Sequence, residues 1–290
     1  MIVAVLGASG KTGRYVAARL ARDGHRVIAI GRSAGRLARI AAAVEPRIAD
    51  LEDAGSVRAA LADAEIVVSL AHARFAAAVL DALPVSCRRV VLTGSTRKFT
   101  QLPDPAADAV RAGEAAFLAS GRPGVMLHPS MIYGAPDDRN VNRLLRLFRR
   151  WPRFLPIVVP LPDGGRHLVQ PVFVDDVVEA FAAAVARPDV VGTSIVVAGP
   201  EPIPYAAFVR ACAAAVGRRA YILPVPSALL IGVASLLAAL GLRPPFNAAE
   251  LRRAAETKRF DVAALRDRLG VVPRPFAEGL RLKLERGWIA

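Results

Sequence analysis

Short apolar runs alternate with amphipathic stretches along the first 130 residues. The chain opens with the apolar run MIVAVL, and further runs typical of buried strands lie at 25–30, 47–50, 64–71, 88–95 and 124–130. Apolar residues at helical spacing separate most of these runs, most clearly at 53–62, 75–82 and 106–119. This alternation predicts an α/β fold, a doubly wound parallel sheet that binds ligands at the carboxyl ends of its strands.

The turn after the first predicted strand reads VLGASGKTGRY. Its Gly-Lys-Thr resembles the end of a phosphate-binding P-loop, but Val5 stands where that loop requires its first glycine. The spacing GxxGxxG is instead that of a dinucleotide-binding turn, in which glycines permit the turn, let a pyrophosphate approach the backbone and bring helix and strand together. A lysine and a threonine add a cation and a hydroxyl beside the anion. The predicted residues of this turn are Gly7, Ser9, Gly10, Lys11, Thr12 and Gly13.

The second predicted strand ends in arginines rather than in an acid. At this position an acid accepts the two ribose hydroxyls of a dinucleotide, whereas an arginine suits a 2′-phosphate. The strand is followed by Arg32, Ser33 and Arg36, and the first acid is Glu45. The sequence therefore favours NADP over NAD.

The third predicted strand ends in IADLED. A carboxylate at this strand end can accept the adenine amino group, which assigns Asp50 and its neighbour Leu51 to the cofactor site. The same carboxylate, or that of Asp53, can equally cap the helix that follows. Both alternatives stay open.

Beyond residue 130 the regular alternation stops. An arginine-rich helical pattern and a proline-punctuated segment precede a strand-like run at 167–174, which is followed by another helical pattern. We expect this later strand and helix to rejoin the first domain. The predicted organisation is a dinucleotide-binding domain of residues 1–130 with about 166–200, and a smaller, mainly helical C-terminal cap of residues 131–165 and 201–290.

The chain is strongly basic, with a formal charge of +14 and a pI near 11.1. Most of its arginines are scattered among apolar residues, whereas nucleic-acid binding predicts a tight basic stripe with aromatic residues, so we expect no nucleic-acid partner. Cys87, Cys212 and the histidines match no metal-ligand or disulfide spacing, and no metal site is predicted. The N-terminus lacks the basic region and cleavage site of a signal peptide, so we expect a cytoplasmic protein.

These motifs, with VVSLAHA, VVLTGST, LHPSMIYG and QPVFVDDVVEAF in the same order, resemble the short-chain dehydrogenase/reductase superfamily. The resemblance covers almost the whole chain and is greatest for the extended and atypical branches, which include NAD-dependent epimerases and dehydratases and nucleoside-diphosphate-sugar epimerases. It implies an NAD(P)-binding Rossmann fold in which Ala71 and His72 lie beside the cofactor ribose. Ser95 then takes the catalytic serine position, and Pro129 begins the segment beside the nicotinamide.

One motif of that superfamily is missing. Its active members use Tyr and Lys in YxxxK to move a proton, but Ala106 and Val110 occupy those positions when Glu114 is aligned with the acid that follows the motif. Standard epimerase or dehydratase chemistry is therefore not expected. Candidates to replace the pair, in order of preference, are Lys98, Tyr133 and His128, each of which also has a structural interpretation.

Two further segments suggest a surface contact. Residues 141–153 alternate arginines with large apolar residues, a pattern that can lie on an anionic membrane or bind an anionic substrate. Residues 227–242 carry no charge but are too short to span a bilayer, at about 24 Å against a hydrocarbon core of roughly 30 Å. We expect the second segment to be buried in the cap or against a second subunit, and we keep peripheral membrane contact and a homodimer as alternatives.

Two functions remain open from the sequence. The first is an NADP(H)-dependent oxidoreductase of the atypical short-chain type, acting on an unidentified small molecule. The second is a non-catalytic NADP(H)-binding regulator, or an accessory subunit of a membrane-associated complex. Both require the turn glycines and Arg32, so the cofactor motif does not distinguish them.

Overall fold

The computed structural model describes residues 1–138, 140–241, 251–253 and 255–288. Two compact units are present: the first comprises Met1–Ala135, Val172–Ala198 and Asp261–Pro273, and the second comprises Pro136–Pro171, Gly199–Phe260 and Arg274–Ala290. The boundaries differ from the expected ones at three places, because 131–135 and 261–273 lie in the first unit and 166–171 lies in the second. Of the predicted cap, residues 139, 242–250, 254 and 289–290 lie outside the described residues.

The strands are numbered in chain order. They are β1 (Ile2–Leu6), β2 (Arg26–Gly31), β3 (Glu45–Ile48), β4 (Ile66–Ser69), β5 (Arg89–Thr93), β6 (Gly124–Pro129), β7 (Ile132–Tyr133), β8 (Ile157–Pro162), β9 (Leu168–Val169), β10 (Val172–Phe173), β11 (Thr193–Val197), β12 (Ile203–Pro204) and β13 (Ala220–Val225). The helices are α1 (Gly13–Arg22), α2 (Ala34–Leu37), α3 (Ala54–Leu61), α4 (Ala76–Asp81), α5 (Pro105–Ala119), α6 (Val141–Arg150), α7 (Val174–Ala186), α8 (Tyr205–Ala214), α9 (Ser227–Ala239), α10 (Ala263–Leu269) and α11 (Phe276–Glu285).

In the described part of the first unit, seven strands form one sheet in the order β11-β6-β5-β4-β1-β2-β3. Every neighbouring pair is parallel, and β1 aligns Val5 with Ala29 of β2 on one side and with Val68 of β4 on the other. The order in which the chain adds strands reverses at β1. β2 and β3 lie on one side of β1, and β4, β5 and β6 lie on the other. The predicted doubly wound parallel sheet is confirmed.

Helices cover both faces of this sheet, which explains why its central strands are continuous apolar runs. Successive residues of a strand point to opposite faces, so Val3 and Val5 enter one core, where they pack with Phe181. Ala4 and Leu6 enter the other core. The inner strands therefore have two hydrophobic layers to fill, and the residues of β1, β4, β5 and β6 are nearly all buried. The edge strand β3 instead alternates half-buried and exposed residues.

The single strand predicted at 167–174 is wrong, because the structure has two short strands there. β9 pairs antiparallel with β12 in the second unit, and β10 pairs parallel with β7 in the first. Pro171 separates them and has no N–H for a ladder. The buried Gln170 uses its side chain instead, donating to the carbonyls of Gly199 and Phe260 and accepting from the N–H of Phe260.

The second unit contains α6, α8, α9 and α11 and two small sheets. β8 pairs parallel with β13, in a register that places Val158 beside Tyr221 and Pro160 beside Leu223. The other sheet is the pair of β9 and β12. Helices make up most of the regular structure described in this unit, as the sequence predicted, and the two small sheets were not predicted.

Candidate functional site

The turn between β1 and α1 has the conformation that its glycines predict. Gly7 has a φ of +75°, and its carbonyl accepts the N–H of Gly10 at 2.9 Å. A Cβ on Gly13 would lie 2.2 Å from the Gly7 carbonyl oxygen, so only glycine lets α1 begin this close to the turn. Thr12, at the N-cap of α1, makes no side-chain cap bond. The start of α1 therefore has the features of an anion-binding helix terminus.

An open cleft of about 310 Å³ lies at the carboxyl ends of β1, β2, β3 and β4. Eight of the predicted cofactor residues line it: Gly7, Ser9, Gly10, Arg32, Asp50, Leu51, Ala71 and His72. Five predicted residues do not line it: Lys11, Thr12, Gly13, Ser33 and Pro129. Gly13 instead allows close helix packing, whereas Pro129 ends β6, on the other side of β4.

Two arginines face this cleft from the segment after β2, Arg32 in the loop and Arg36 in α2. Arg32 and Arg36 both line it, and neither side chain makes a hydrogen bond or ion pair within the part of the chain that the structure describes. Unpaired guanidinium groups at this strand end can bind an anion, and the assignment of Arg32 to a 2′-phosphate stays a prediction. Ser9 and Gly31 form the adjoining wall, since a Cβ on Gly31 would lie 2.9 Å from Ser9 Oγ.

The structure separates the roles of the two acids after β3. Asp53 is the N-cap of α3, and its carboxylate accepts the N–H groups of Gly55 and Ser56. Asp50 lines the cleft, and its Oδ1 accepts the N–H of Glu52 at 3.1 Å. Of the two roles that the sequence left open for Asp50, helix capping belongs to Asp53.

The sequence analysis missed three cleft residues. Glu52 and Arg74 both line the cleft and form an exposed ion pair at 3.2 Å, and the Arg74 guanidinium lies over the ring of Phe75. The Nδ1 of His72 accepts the N–H of Arg74, which holds this loop in a short 3₁₀ turn over Ala73–Phe75. Glu52 follows β3, and Arg74 and Phe75 follow β4, so all three come after strands that end at the same sheet edge, which is the signal that could have identified them.

The cleft fits a dinucleotide on the structure's own geometry. It combines a glycine turn, a helix start without a side-chain cap and two unpaired arginines at the sheet edge where the strand order reverses. In open parallel sheets this reversal point is where nucleotide ligands bind. The described residues contain no group of three His, Cys, Asp or Glu side chains placed to share a metal ion.

A second polar cluster lies at the carboxyl ends of β5 and β6. Lys98 Nζ lies 2.5 Å from Glu114 Oε1 and 3.5 Å from His128 Nε2, and His128 Nε2 lies 3.1 Å from the same Glu114 oxygen. The N–H of Ser95 donates to His128 Nδ1 at 3.1 Å, so Nδ1 carries no proton. The ring is therefore neutral, with its proton on Nε2 directed to Glu114.

Burial controls the charge states of this cluster. Burial, followed by the nearby Lys98 charge, lowers the pKa of His128 to about 4, so the imidazole stays neutral at pH 7. Burial alone would raise the pKa of Glu114, but hydrogen bonds from Lys98 and Ser194 and the nearby positive charges leave it below its ordinary value. The carboxylate is therefore ionised and can hold the Lys98 ammonium.

The other predicted catalytic residues have different surroundings. Ser95 caps the 3₁₀ turn over Thr96–Phe99, its Oγ accepting the N–H of Arg97 at 3.1 Å. Tyr133 is 0% exposed and packs edge to face against Phe173, which corresponds to its structural interpretation rather than to a role at an open site. Val110, at the position of the missing lysine, is in the hydrophobic core beside the sheet. Of the three replacement candidates, the structure brings Lys98 and His128 together and leaves Tyr133 apart.

The two segments considered for a membrane or subunit contact lie in the second unit. Residues Val141–Arg150 form α6, and Ser227–Ala239 form α9, whose Leu229, Val233 and Leu236 are exposed. Burial within the cap is wrong for α9, in which Ala234 is the buried residue, and burial of this segment against a second subunit stays a prediction. Leu242, the last residue of that segment, lies outside the described residues. Among the described helices, none has the length and apolar character needed to cross a bilayer.

The fold and the first cleft define an NAD(P)-binding protein with the Rossmann fold, and comparison with known proteins agrees. Residues 7–116 match a family model described as NAD(P)H-binding. Solved structures similar to this chain include a nucleoside-diphosphate-sugar epimerase from Pseudomonas aeruginosa, with 19% identity, a TM-score of 0.74 and coverage of 100% of this chain and 99% of that chain. Another is a UDP-N-acetylglucosamine 4-epimerase from Bacillus cereus, with 16% identity, a TM-score of 0.73 and coverage of 99% and 97%.

A third similar structure is a short-chain dehydrogenase/reductase superfamily protein from Agrobacterium tumefaciens with bound NAD, at 15% identity, a TM-score of 0.73 and coverage of 99% and 97%. A comparison with curated proteins gave no match. The NAD(P)H-binding domain and the Rossmann fold that this resemblance implied are confirmed. At these identities the neighbours establish the architecture and not the substrate.

Proposed function

We propose that this protein is an NADP(H)-dependent oxidoreductase of the atypical short-chain type, which reduces a carbonyl or enone of a small molecule without a YxxxK pair. The observation that carries this proposal is the ion pair of Lys98 with Glu114 at the carboxyl ends of β5 and β6. It holds an ammonium group at the sheet edge that the first cleft also occupies. The side chain of Lys98 is 13% exposed, so its ammonium is held but not sealed from a substrate.

The residues that would hold NADP(H) follow from the first cleft. The glycine turn and the start of α1 suit the pyrophosphate, Arg32 and Arg36 suit the 2′-phosphate, and Asp50 suits the adenine amino group. A dinucleotide held at the reversal point at β1 would have β4, β5 and β6 on the side away from Arg32 and Arg36. NADP(H), when bound, supplies or accepts a hydride.

Lys98 would donate a proton to the substrate oxygen as its carbonyl carbon is reduced. The positions of its neighbours suit this role, because Glu114 holds the ammonium at 2.5 Å while the neutral His128 fixes the carboxylate from the other side. Gly94 makes room for the imidazole, since a Cβ there would lie 2.1 Å from His128 Nδ1. After the reaction Lys98 regains a proton from solvent. A positioned proton donor of this kind increases the rate of a reaction roughly 10²- to 10⁴-fold.

Calorimetric titration with NADPH and, in parallel, NADH tests the cofactor proposal. Tight NADPH binding with NADH at least roughly tenfold weaker supports the arginine assignment. Screening carbonyl and enone compounds for NADPH oxidation then tests the activity. Failure of both nucleotides to bind would refute the proposal at its first step.

A second candidate function is a non-catalytic NADP(H)-binding regulator or accessory subunit. The observation that favours it is the residues found where the superfamily places its proton-transfer pair. Val110 is buried in the hydrophobic core, and neither it nor Ala106 has a proton to donate. NADPH binding without turnover of any carbonyl or enone, and without an effect of Lys98 substitution, would favour this function. We further propose a cytoplasmic protein and leave a homodimer to be tested by its mass in solution.

A further inference from the structure

The basic charge of this protein is concentrated in its second unit. Residues 136–171, 199–260 and 274–290 contain 19 Lys and Arg but 8 Asp and Glu, a formal charge of +11. The first unit contains 20 Lys and Arg and 17 Asp and Glu, a formal charge of +3. The excess charge is therefore not spread over the chain, and the unit that carries it is not the one with the NAD(P)H-binding domain.

The small sheet of this second unit has an exposed apolar face. Val158 of β8 lies beside Tyr221 of β13, and Pro160 lies beside Leu223. All four residues are exposed, and the period of two along each strand places them on one face. This face contains no charged residue.

Arginines lie at one end of that face. A cleft of about 440 Å³ is lined by Phe148, Arg149, Arg153, Ala215, Val216 and Arg218, and the described residues that line it include no acid. Arg153 lies shortly before β8 and Arg218 shortly before β13, and because the strands are parallel both arginines are at the same end of the sheet. Arg149 and Arg153 make no hydrogen bond or ion pair within the described residues.

An aromatic residue projects from the same end. The segment between α6 and β8 is fixed by Arg218, whose guanidinium donates to the carbonyls of Trp151, Pro152 and Leu155. Phe154, within this segment, is 85% exposed. The backbone is thus anchored while the phenyl ring is directed to solvent beside the arginines.

From this juxtaposition we propose that the second unit binds the surface of an anionic phospholipid bilayer. The membrane-binding surface consists of Arg149, Arg153, Phe154, Val158, Tyr221 and Leu223. Its arginines contact lipid phosphates, and its aromatic and aliphatic side chains enter the boundary between headgroups and acyl chains. The protein is held at the surface without crossing the bilayer.

Charge and composition favour a lipid surface over other occupants. A second copy of this chain would bring a unit of formal charge +11 against another of the same sign, which opposes association through this surface. Single-stranded nucleic acid would need a series of aromatic stacking platforms, whereas Val158, Pro160 and Leu223 are aliphatic. An anionic bilayer offers phosphates to the arginines and an apolar boundary to the aliphatic face.

Co-sedimentation with vesicles tests the proposal on the full-length protein. We expect binding to vesicles of equal parts phosphatidylglycerol and phosphatidylcholine and none to phosphatidylcholine alone. Arg150, exposed at the end of α6, adjoins this surface and is replaced with it. A basic residue near an anionic surface contributes about fivefold to partitioning, so the variant Arg149→Gln/Arg150→Gln/Arg153→Gln should bind at least tenfold more weakly. Phe154→Ser should weaken binding several-fold, and its exposure means that folding need not change.

A matched control removes the same charge from the first unit. Arg39→Gln/Arg58→Gln/Arg122→Gln replaces three exposed arginines there and should bind vesicles as the wild type does. An equal loss in the control, equal binding to both vesicle types, or no binding at all would overturn the proposal. Tighter binding to a fluorescent single-stranded oligonucleotide than to anionic vesicles, abolished by the Arg149 triple variant, would overturn it in favour of a nucleic-acid surface. Circular dichroism checks that every variant is folded.

Discussion

The ammonium nitrogen of Lys98 lies 2.5 Å from Oε1 of Glu114, although the two residues come from different elements, a 3₁₀ turn after β5 and the middle of α5. When the sequence is aligned with the short-chain dehydrogenase/reductase superfamily, Glu114 takes the place of the acid that follows YxxxK. The proposed reductase activity depends on this ion pair, because Ala106 and Val110 have no proton to donate.

Replacing Lys98 with methionine should abolish most of the proposed reductase activity. We expect kcat to fall roughly 10² to 10⁴-fold, because the variant keeps the size of the side chain but has no proton to donate. The Kd for NADPH should stay within about threefold of wild type, since Lys98 does not line the first cleft. Steady-state kinetics and calorimetry measure the two quantities separately. A variant with unchanged kcat would show that Lys98 has no catalytic role.

Glu114→Gln provides the matched test of positioning. The amide keeps a hydrogen-bonding oxygen for Lys98 but removes the charge that holds the ammonium, so we expect a smaller loss of kcat than in Lys98→Met. Because effects of groups that act together are not additive, the double variant should be no slower than Lys98→Met alone. Additive losses would mean that the two residues act independently.

The buried His128 should make the folded state sensitive to acid. Burial lowers the pKa of His128 from 6.5 to about 4, so between these values the unfolded chain binds a proton that the folded chain does not. The contribution of the neutral His128 to the free energy of unfolding is therefore fully present above pH 6.5 and is lost as the pH falls toward 4. Titration of His128 should change the free energy of unfolding by up to about 1.4 kcal/mol per pH unit in this range.

Urea unfolding at a series of pH values measures this effect. In His128→Asn, the amide oxygen can take the place of Nδ1 and accept the N–H of Ser95, but it does not titrate. The variant should have a shallower dependence of unfolding free energy on pH between about 6.5 and 4. Identical slopes in both proteins would assign the acid sensitivity to other groups.

The sheet and the glycine turn could be predicted from the sequence because both depend on local patterns. Strands buried on two faces must be continuous apolar runs, and a turn that approaches an α-helix requires glycine at fixed spacing, as Gly13 shows. Arg32 was found in the same way, because it follows directly from the end of a recognisable strand. These features need no knowledge of which strands are neighbours.

The second cluster could not be predicted as a unit. Lys98, Glu114 and His128 are separated by 14 to 30 residues and meet only because β5 and β6 are adjacent in the sheet and α5 connects them. No spacing rule links three residues on three elements. The division of 167–174 was missed for a related reason, since the role of Gln170 depends on carbonyls of Gly199 and Phe260, which are distant in sequence.

Replacing Gly13 with alanine should disrupt the cofactor turn. The added Cβ would lie 2.2 Å from the backbone oxygen of Gly7, which no side-chain rotation can relieve, so α1 or the turn must shift. We expect a loss of about 1 to 3 kcal/mol in unfolding free energy and weaker NADPH binding. Gly35→Ala in α2 is the control, because nothing lies within 4 Å of its Cβ, and it should leave stability unchanged or raise it by up to about 1 kcal/mol. Urea denaturation of both variants measures their free energies of unfolding. A loss in Gly13→Ala alone would assign the effect to close packing at Gly13, whereas an equal loss in both would assign it to the replacement of glycine itself.

Replacing the cleft arginines should change the choice of nucleotide. Arg32 and Arg36 make no hydrogen bond or ion pair within the described residues, so their removal leaves no protein acid unpaired and should not affect folding. We expect Arg32→Ala to weaken NADPH binding roughly ten- to a hundredfold, because a charge-assisted bond to phosphate contributes about 1.5 to 3 kcal/mol.

NADH binding is the internal control, because NADH has no 2′-phosphate and should bind the variant about as well as the wild type. Arg36→Ala should also weaken NADPH binding more than NADH binding. Calorimetric titration with both nucleotides measures the ratio of their Kd values in each variant. Equal weakening of NADPH and NADH would place the arginine against a part that the two nucleotides share, such as the pyrophosphate. In that case the preference for NADP(H) would have to come from another residue of the cleft, and the assignment of Arg32 to the 2′-phosphate would be wrong.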